Sequence, residues 1–411
     1  TVGEAPASDR LLARLSDNER ALATTCAVLT EAVKHKTRIP PAGEWLLDNF
    51  FLIEEQIRTA RTHFPKSYGR RLPYLSRGDL AGTPRVYAIA LDTISHGDGR
   101  VDTDSITNFV GAYQSITPLQ LGELWAVPIM LRLALIENLR RAATRIAAGL
   151  LERNRAAQWA DQMMTVAAED PKSLILSTAD MARSGLPMAS SFVAEFARRL
   201  QGQSPALTLP LTWVEQVLAE SGSTIVQSIQ AENQQQAADQ ISISNSIGSL
   251  RFLSAVDWRD FVESMSVVER ELRAEPSQVY GRMDFATRDR YRHVIERLAR
   301  RSGMDEQDVA HKAVELARAG AARSGRDHRE AHVGYYLIDR GFPLLEQSLP
   351  LPQTLGSIVA RAWRRHPLAG YLGPIILLSA GIAWAFIAQA QAYGLHGPTL
   401  VVIGMVSLLC A

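Results

Sequence analysis

The amino-acid sequence predicts an all-α protein: packed antiparallel helices in a cytoplasmic part, followed by transmembrane helices. Apolar residues recur every three or four positions through the region before residue 366, which is the spacing of helices with one buried face. Clusters of Pro and Gly separate these periodic segments, as loops do. After Arg365 there is no Lys, Arg, Asp or Glu, and the remaining residues are largely apolar.

The first elements follow from this spacing. Apolar residues from Leu11 to Val33 form one stripe and predict an amphipathic helix. A second stripe predicts one helix over Glu44–His63, and a loop rich in Pro and Gly runs from Pro65 to Pro84. Arg85–His96 is predicted to be the next helix.

Further helices are predicted in the middle of the chain. Ser105–Ser115 is predicted to be helical. Leu121–Ala148 is strongly apolar but carries charged residues, among them Glu123, Arg132, Glu137, Arg140 and Arg141, so a buried helix is favoured over a membrane span. From 154 to 218 helical patches alternate with breaks at Pro and Gly. Thr224–Leu253 is rich in Gln, Asn and Ser; four residues alternate as in a strand, but the longer apolar series favours a helix.

Toward the end of this region, helices are predicted over Asp257–Ala274 and Phe285–Arg301. Asp305 is expected to cap a helix that runs to Ala319, and Ala319–Arg329 is expected to be a linker. The predicted divisions are helical subdomains at 1–150 and 151–330, a juxtamembrane segment at 331–367, a transmembrane helix at 368–391 and the start of a second at 399–411.

The prediction of membrane helices rests on the charge-free tail after Arg365. Leu368–Gln391 is about 24 residues, or roughly 36 Å of helix, enough to cross a hydrocarbon core of about 30 Å. The later apolar run is too short to cross, and the chain opens on Thr1, so a fragment of a longer protein is expected. Arginines at 361, 364 and 365 precede the predicted span, which places the residues before 366 in the cytoplasm.

Composition narrows the function classes. The formal net charge is +1, which argues against a nucleic-acid-binding protein because such proteins usually show a strong basic excess. The chain has 2 cysteines, far apart, which predicts a reducing compartment rather than a disulfide framework.

Two motifs suggest metal chemistry, and both are better explained without it. Asp102-Thr103-Asp104 has the DxD form of metal-binding glycosyltransferases, but it follows a turn and precedes a helix, so helix capping is expected. His328 and His332 have the i, i+4 spacing of metal ligands, but Glu does not directly follow the first His and no third ligand is suggested. Both are therefore expected to be solvated histidines of a helix or linker. No catalytic residue and no metal ligand is predicted in this segment.

A small set of residues is predicted to bind substrate. The stretch Tyr280–Arg292 interleaves arginines and aspartates with aromatic rings, a combination that can grip a phosphate or a sugar. Pairing within the stretch, as an intramolecular salt-bridge network, is the favoured alternative. Trp45, on the polar face of Gly43–Gln56, could pack on a sugar ring, although a packed interdomain surface is the favoured explanation. The candidate residues are Trp45, Arg282, Asp284, Arg288, Asp289 and Arg290.

Several stretches resemble the cyclic β-1,2-glucan synthases of Gram-negative bacteria, in family order and over most of the chain. GEWLLDNF and ENQQQAADQ are the most specific of them, because they are long and unusual. The stretches are Gly43–Ile57, Arg85–Asp102, Leu121–Arg141, Glu232–Leu253, Tyr280–Arg292 and Ala331–Gly341.

The resemblance implies a very large enzyme of the bacterial inner membrane whose amino-terminal region is cytoplasmic and helical. Such enzymes are glucosyltransferases that use UDP-glucose and a divalent cation, Mg or Mn, to build a β-1,2-glucan that is then cyclised. The family's transferase carboxylates belong to a domain after the first membrane helices, and none maps onto this chain. The segment itself is therefore expected to hold no cofactor and to be non-catalytic.

The leading hypothesis is a cytoplasmic platform with the first membrane segment of such a synthase. Its expected partners are the lipid bilayer and the downstream glucosyltransferase domain of the same polypeptide, and oligomeric state stays open. The alternative is a membrane-anchored helical scaffold or sensor without enzymatic activity. A sugar-binding module that works through Trp45 and the 280–292 stretch is a third reading.

Overall fold

The computed structural model describes residues 2–3, 10–69 and 72–351, and the separate positions 373, 375–376, 378–382, 384–385 and 388–389. The prediction of an all-α protein is confirmed for this part of the chain. The chain forms two compact units, Thr1–Ala274 and Glu275–Ala411. The predicted subdomain boundaries stay predictions; the one after residue 150 falls inside a continuous helix.

The first unit is built from helices, with one two-residue β pair in which Val2–Gly3 (β1) runs antiparallel to Tyr74–Leu75 (β2). Its α-helices are α1 Arg10–Lys34, α2 Pro41–Asp48, α3 Phe50–His63, α4 Lys66–Gly69, α5 Arg85–His96, α6 Thr103–Gln114, α7 Leu121–Glu169, α8 Leu174–Arg183, α9 Ser190–Leu200, α10 Thr208–Glu220, α11 Ile225–Ala255, α12 Trp258–Met265 and α13 Val267–Arg273. Short 3-10 helices lie at Pro171–Ser173 and Pro205–Leu207.

Helix α7 is the centre of this unit. It has 49 residues, or about 74 Å of helix. Its first part, up to Leu150, packs into an apolar core with α1, α3, α5 and α11. From Ala156 onward the same helix packs into a second core with α8, α9 and α10. One helix therefore serves two separate cores.

Two segments that were each predicted to be one helix form two helices in the structure. The predicted helix Glu44–His63 breaks at Asn49, whose side-chain amide donates to the Trp45 carbonyl at 2.8 Å. The predicted helix Asp257–Ala274 breaks at Ser266, whose hydroxyl accepts from the Glu269 amide at 3.2 Å. Asn and Ser compete with the helix in this way because their short side chains bond to nearby backbone.

The Gln-, Asn- and Ser-rich segment is helical, as predicted. Helix α11 covers Ile225–Ala255, and Thr224 caps its start by accepting a hydrogen bond from the Gln227 amide. Because its buried residues include serines and acids as well as Ile and Leu, it packs through a mixed face that a simple apolar stripe does not reveal.

The second unit is smaller within the described residues. Its α-helices are α14 Phe285–Ser302, α15 Glu306–Ser324, α16 Val333–Ile338 and α17 Phe342–Ser348, with 3-10 helices at Tyr280–Arg282 and Arg329–Ala331. The predicted linker Ala319–Arg329 is wrong in its first part, because α15 continues to Ser324 and its small residues pack on the second 3-10 helix. Asp305 precedes α15 as predicted but makes no side-chain cap hydrogen bond.

Half of the predicted membrane segment at 368–391 and all of the one at 399–411 lie outside the described residues, and both segments stay predictions. In the part of the chain that is described, no helix is both long and apolar enough to cross a membrane. The described positions between 373 and 389 are helical. Their large apolar side chains are exposed: Ile375, Ile376, Leu378, Ile382 and Trp384.

Candidate functional site

Many charged side chains of the first unit are used to hold α7 against its neighbours. Arg85 on α5 donates two hydrogen bonds of 2.6 Å to the two carboxylate oxygens of Glu123 on α7. Both side chains are buried, at 5% and 0% exposure. Arg85 also donates to the Pro118 carbonyl at 2.9 Å. Because this carboxylate is enclosed and fully partnered, it is structural.

A second buried carboxylate, Glu137 on α7, is held in the same way. Arg14 donates to its two oxygens at 3.0 Å each, Asn18 donates at 2.8 Å and Arg140 at 3.0 Å. Burial alone would raise the pKa of Glu137, but these hydrogen bonds outweigh it and lower the pKa to about 2. Glu137 is therefore ionised near neutral pH and joins α1 to α7.

A seam of polar contacts joins α7 to α11, where the ENQQQAADQ stretch lies. Three side chains of α7 each bond to polar side chains of α11, at distances from 2.7 to 3.0 Å. The pairs are Asn138 with Ser242 and Ser246, Arg145 with Asp239, and Arg153 with Glu232. The residues of this stretch that bond to α7 therefore hold the two helices together.

The turn before α6 is fixed to α11 as well. The Ser249 hydroxyl donates to the Gly99 carbonyl at 2.8 Å and accepts from the Val101 amide at 2.9 Å. Directly after the turn, Asp102 caps α6 by accepting from the Ser105 amide at 2.9 Å. The prediction that the Asp102–Asp104 motif caps a helix is confirmed.

The six predicted substrate-binding residues lie in both units. Trp45 is on α2 of the first unit, with 38% of its surface exposed. The other five lie at or near the start of α14 in the second unit. Their binding role stays a prediction.

The predicted salt-bridge network around α14 forms only in part. Asp289 pairs with Arg292 at 3.1 Å and with His293 at 3.3 Å. Asp284 instead caps α14, where it accepts from the amide of Thr287 at 3.0 Å and from its hydroxyl at 2.6 Å. Arg282 donates to the Gln278 carbonyl at 3.0 Å. Helix capping takes Asp284 because the start of α14 exposes free amides.

His293 is the most strongly shifted group of this helix. Hydrogen bonds to Asp289 and Glu296 raise the pKa of His293 to about 9, although burial opposes the shift. The imidazole is therefore a cation near neutral pH, and it uses the Asp289 carboxylate that the sequence assigned to substrate.

Arg290 has a different environment from its neighbours. It is exposed and lines an open groove of about 790 Å³ between one face of α14 and the α16–α17 corner. Four arginines, called its rim below, and apolar side chains, called its floor, line the groove, and Asp339 is the one acid in this lining. The lining residues are Arg290, Val294, Arg297, Leu298, Arg301, Leu337, Ile338, Asp339, Arg340, Phe342 and Pro343.

The predicted solvated pair His328 and His332 is wrong for His332. Its Nδ1 lies 2.8 Å from Glu275 Oε2, and its Nε2 lies 3.4 Å from the Tyr291 hydroxyl. Glu275 also accepts from the Val333 amide at 2.8 Å. Burial would raise the pKa of Glu275, but these bonds outweigh it and lower the pKa. No short-range pattern could reveal this pair, because 57 positions separate the two residues.

Neither unit gathers ligands for a metal within the described residues, since no group of three or more His, Cys, Asp or Glu side chains there could hold an ion. Within the part of the chain that the structure describes, the basic groove of the second unit offers a site for an external ligand. Its arginine-rich rim favours an anion, and its floor favours apolar groups.

Comparison with known proteins agrees with the resemblance in the sequence. No family model matches the chain. The chain is 33% identical over 371 residues to the cyclic beta-(1,2)-glucan synthase NdvB of Rhizobium meliloti (strain 1021). The match covers 89% of this chain and 13% of that protein, so the chain spans a small part of its relative's length. Over this region, the chain is related to the cyclic β-(1,2)-glucan synthase family.

Proposed function

We propose that the chain is the amino-terminal cytoplasmic helical platform and first membrane segment of a glucosyltransferase that builds β-1,2-linked glucan from UDP-glucose. The observation that carries this proposal is 33% identity over 89% of the chain to a cyclic β-(1,2)-glucan synthase. The matched region is only 13% of that relative, which leaves ample length for catalytic domains elsewhere.

The segment itself is proposed to be non-catalytic. Its most conspicuous carboxylates have structural roles, since Glu123 and Glu137 are buried in hydrogen-bonded ion pairs and Asp102 caps a helix. UDP-glucose and a divalent cation, Mg or Mn, then belong to a downstream transferase domain. That domain is a proposed partner of the platform within one polypeptide.

Attachment to the bacterial inner membrane is part of the proposal. The charge-free stretch after Arg365 is long enough to cross a bilayer, and arginines precede it. The exposed apolar side chains described between 375 and 384 suit a lipid environment better than water. The arginines before this stretch support a cytoplasmic location for the helical units.

Topology reporters test the membrane part. Alkaline phosphatase fused after residue 395 should be active, and fused after residue 345 it should be inactive, with fluorescent-protein fusions giving the opposite pattern. Activity of the phosphatase fused after 345 would put the helical units on the wrong side of the membrane and overturn this part of the proposal.

An activity assay tests whether catalysis belongs to the native protein as a whole and not to this segment alone. Membranes that hold the native gene product should incorporate labelled glucose from UDP-glucose into β-1,2-glucan, whereas the purified 411-residue chain should release no UDP above the blank. Release of UDP by the chain alone would contradict its non-catalytic role. Native membranes without glucan synthesis would favour the scaffold or sensor instead.

A further inference from the structure

We propose that the groove between α14 and the α16–α17 corner binds the phosphate headgroups of anionic phospholipids. Binding there would hold the second unit at the membrane surface. The inference rests on the proposed membrane attachment and adds to it a site, a ligand class and an orientation for this unit.

The charge of the groove supports an anionic ligand. Its rim carries Arg290, Arg297, Arg301 and Arg340, and its one acid is Asp339. Arg301 is paired with Glu346 at 3.3 Å. The other three arginines form no ion pair with any residue that the structure describes. Their planar guanidinium groups suit phosphate oxygens because each can donate two parallel hydrogen bonds.

The floor of the groove favours an amphiphile over a sugar nucleotide. Besides arginines and Asp339, the lining consists of Val, Leu, Ile, Phe and Pro side chains. It holds no Asn, Gln, Ser, Thr, Tyr or Trp, so every hydrogen-bonding side chain in the lining is charged, and its apolar side chains offer no partner to sugar hydroxyls. A phospholipid meets both surfaces, with its phosphate at the arginines and its glycerol and upper acyl carbons on the floor.

The position of the groove along the chain favours a lipid over a soluble amphiphile. Helix α17 ends at Ser348, and the last charged residue of the chain is Arg365. The stretch 352–365 reaches at most about 50 Å when fully extended. With the apolar segment from 368 in the bilayer, this tether limits how far the groove can lie from the headgroups. Ile338 in the groove lining is exposed, as is Leu344, which follows the lining residue Pro343 in sequence.

The test uses the full chain in mixed micelles of an uncharged detergent with dihexanoylphosphatidylglycerol or dihexanoylphosphatidylcholine. Hydrogen exchange of peptides covering 290–301 and 337–343 reports the occupancy of the groove. We expect slower exchange with the anionic lipid only, and weaker protection in 0.5 M salt because salt screens the attraction.

Two double variants compare arginines of the groove with arginines outside it. R290Q/R340Q removes two groove charges and should weaken the apparent affinity about thirtyfold, or about fivefold for each arginine. R318Q/R326Q removes two exposed arginines of the same unit outside the groove and should leave the affinity unchanged. All four positions are exposed, so both variants should fold, which circular dichroism checks.

Three results would overturn the inference: equal protection by the two lipids, equal loss in the two variants, or protection of the same peptides by UDP-glucose in micelles without anionic lipid. The last would make the groove a nucleotide site. A native protein missing from the membrane fraction would contradict the proposed function instead, and the micelle experiment would still decide on the groove.

Discussion

At the scale of single residues, the first unit depends on charges taken out of water in pairs. Arg85 and Glu123 are both buried and are joined by two short hydrogen bonds. Loss of one member leaves the other as an unpaired buried charge, which is much more costly than loss of an exposed pair. The exposed pair Asp180–Arg183 on α8 offers the comparison.

We therefore expect E123Q to lower the free energy of unfolding by about 3–5 kcal/mol. The control D180N should cost about 0–1 kcal/mol because water screens that pair. Urea denaturation followed by circular dichroism measures both. Equal effects of the two substitutions would contradict a structural role for the buried pair.

The lowered pKa of Glu137 makes stability depend on acid pH. Its pKa is about 2 in the folded protein, against a usual value of 4.5. The folded state therefore gains stability from the ionised carboxylate above pH 4.5, and loses it as the pH falls from 4.5 toward 2. In E137Q this loss should be absent.

Urea denaturation of the wild type and of E137Q between pH 7 and pH 2.5 measures this. The wild type should be the more stable protein at pH 7, by about 1–3 kcal/mol, because E137Q weakens bonds to partly exposed arginines. The difference should shrink below pH 4.5. A difference that stays constant with pH would show that Glu137 does not titrate as described.

Residue roles were predictable where they are local. Asp102 precedes Ser105 by three positions, the spacing of a helix cap, and that role is confirmed. The pairing of Glu275 with His332 could not be predicted from the sequence because only the tertiary fold brings them together. Arg290 was selected for its place in a charged stretch, but its groove is formed with α16 and α17, which no local pattern reveals.

At the scale of elements, the seam between α7 and α11 controls the turn before α6. Gly99 has a positive φ of 81°, and a Cβ at this position would lie 2.5 Å from Ser246 Oγ and 3.2 Å from the Ser242 carbonyl oxygen. Backbone conformation and contact both exclude a larger residue. Gly78 has a φ of 90° with nothing within 4 Å of its Cβ position, so conformation alone disfavours substitution there.

Alanine substitutions at Gly78 and Gly99 separate the cost of the backbone conformation from the cost of contact with α11. G78A should cost about 1–2 kcal/mol for the left-handed backbone. G99A should cost about 2–5 kcal/mol, since it adds overpacking of about 1–3 kcal/mol against α11. Thermal unfolding of the two variants side by side measures the difference. Equal costs would mean that the turn moves away from α11 without penalty.

Most elements could be predicted from apolar spacing, but their ends could not. The existence of α1, α5, α6 and α14 follows from their stripes, and each prediction is confirmed to within a few residues. The break at Asn49 was missed because the apolar spacing continues across it, while a side-chain bond to the backbone interrupts the helix. The continuation of α7 to Glu169 was missed because small residues near 156 weaken its stripe.

At the scale of the whole molecule, the two compact units differ in what holds them together. The first unit rests on two apolar cores and the polar seams around α7. The described part of the second unit is smaller and carries the basic groove. Because each unit has its own internal contacts, we expect each to lose its structure as a separate cooperative unit.

Hydrogen exchange at increasing urea concentrations tests this expectation. E123Q should speed exchange of the buried helices α5, α7 and α11, and leave α14–α17 unchanged. The exposed-pair variant D180N should leave both sets unchanged. Faster exchange of α14–α17 in E123Q would show that the units unfold together.

The length of α7 has a consequence for how this region can change in length. A helix fixes the rotational phase between any two points along it, and α7 joins two cores, one ending at Leu150 and the other beginning at Ala156. One residue inserted between those points would turn the second core by about 100° relative to the first. Seven inserted residues would bring it back to within about 20°. Length differences between related proteins should therefore fall in the loops, or within α7 as insertions of about 7, 11 or 18 residues, which restore the angle to within about 20°. This helix sets the angle at which its two cores meet.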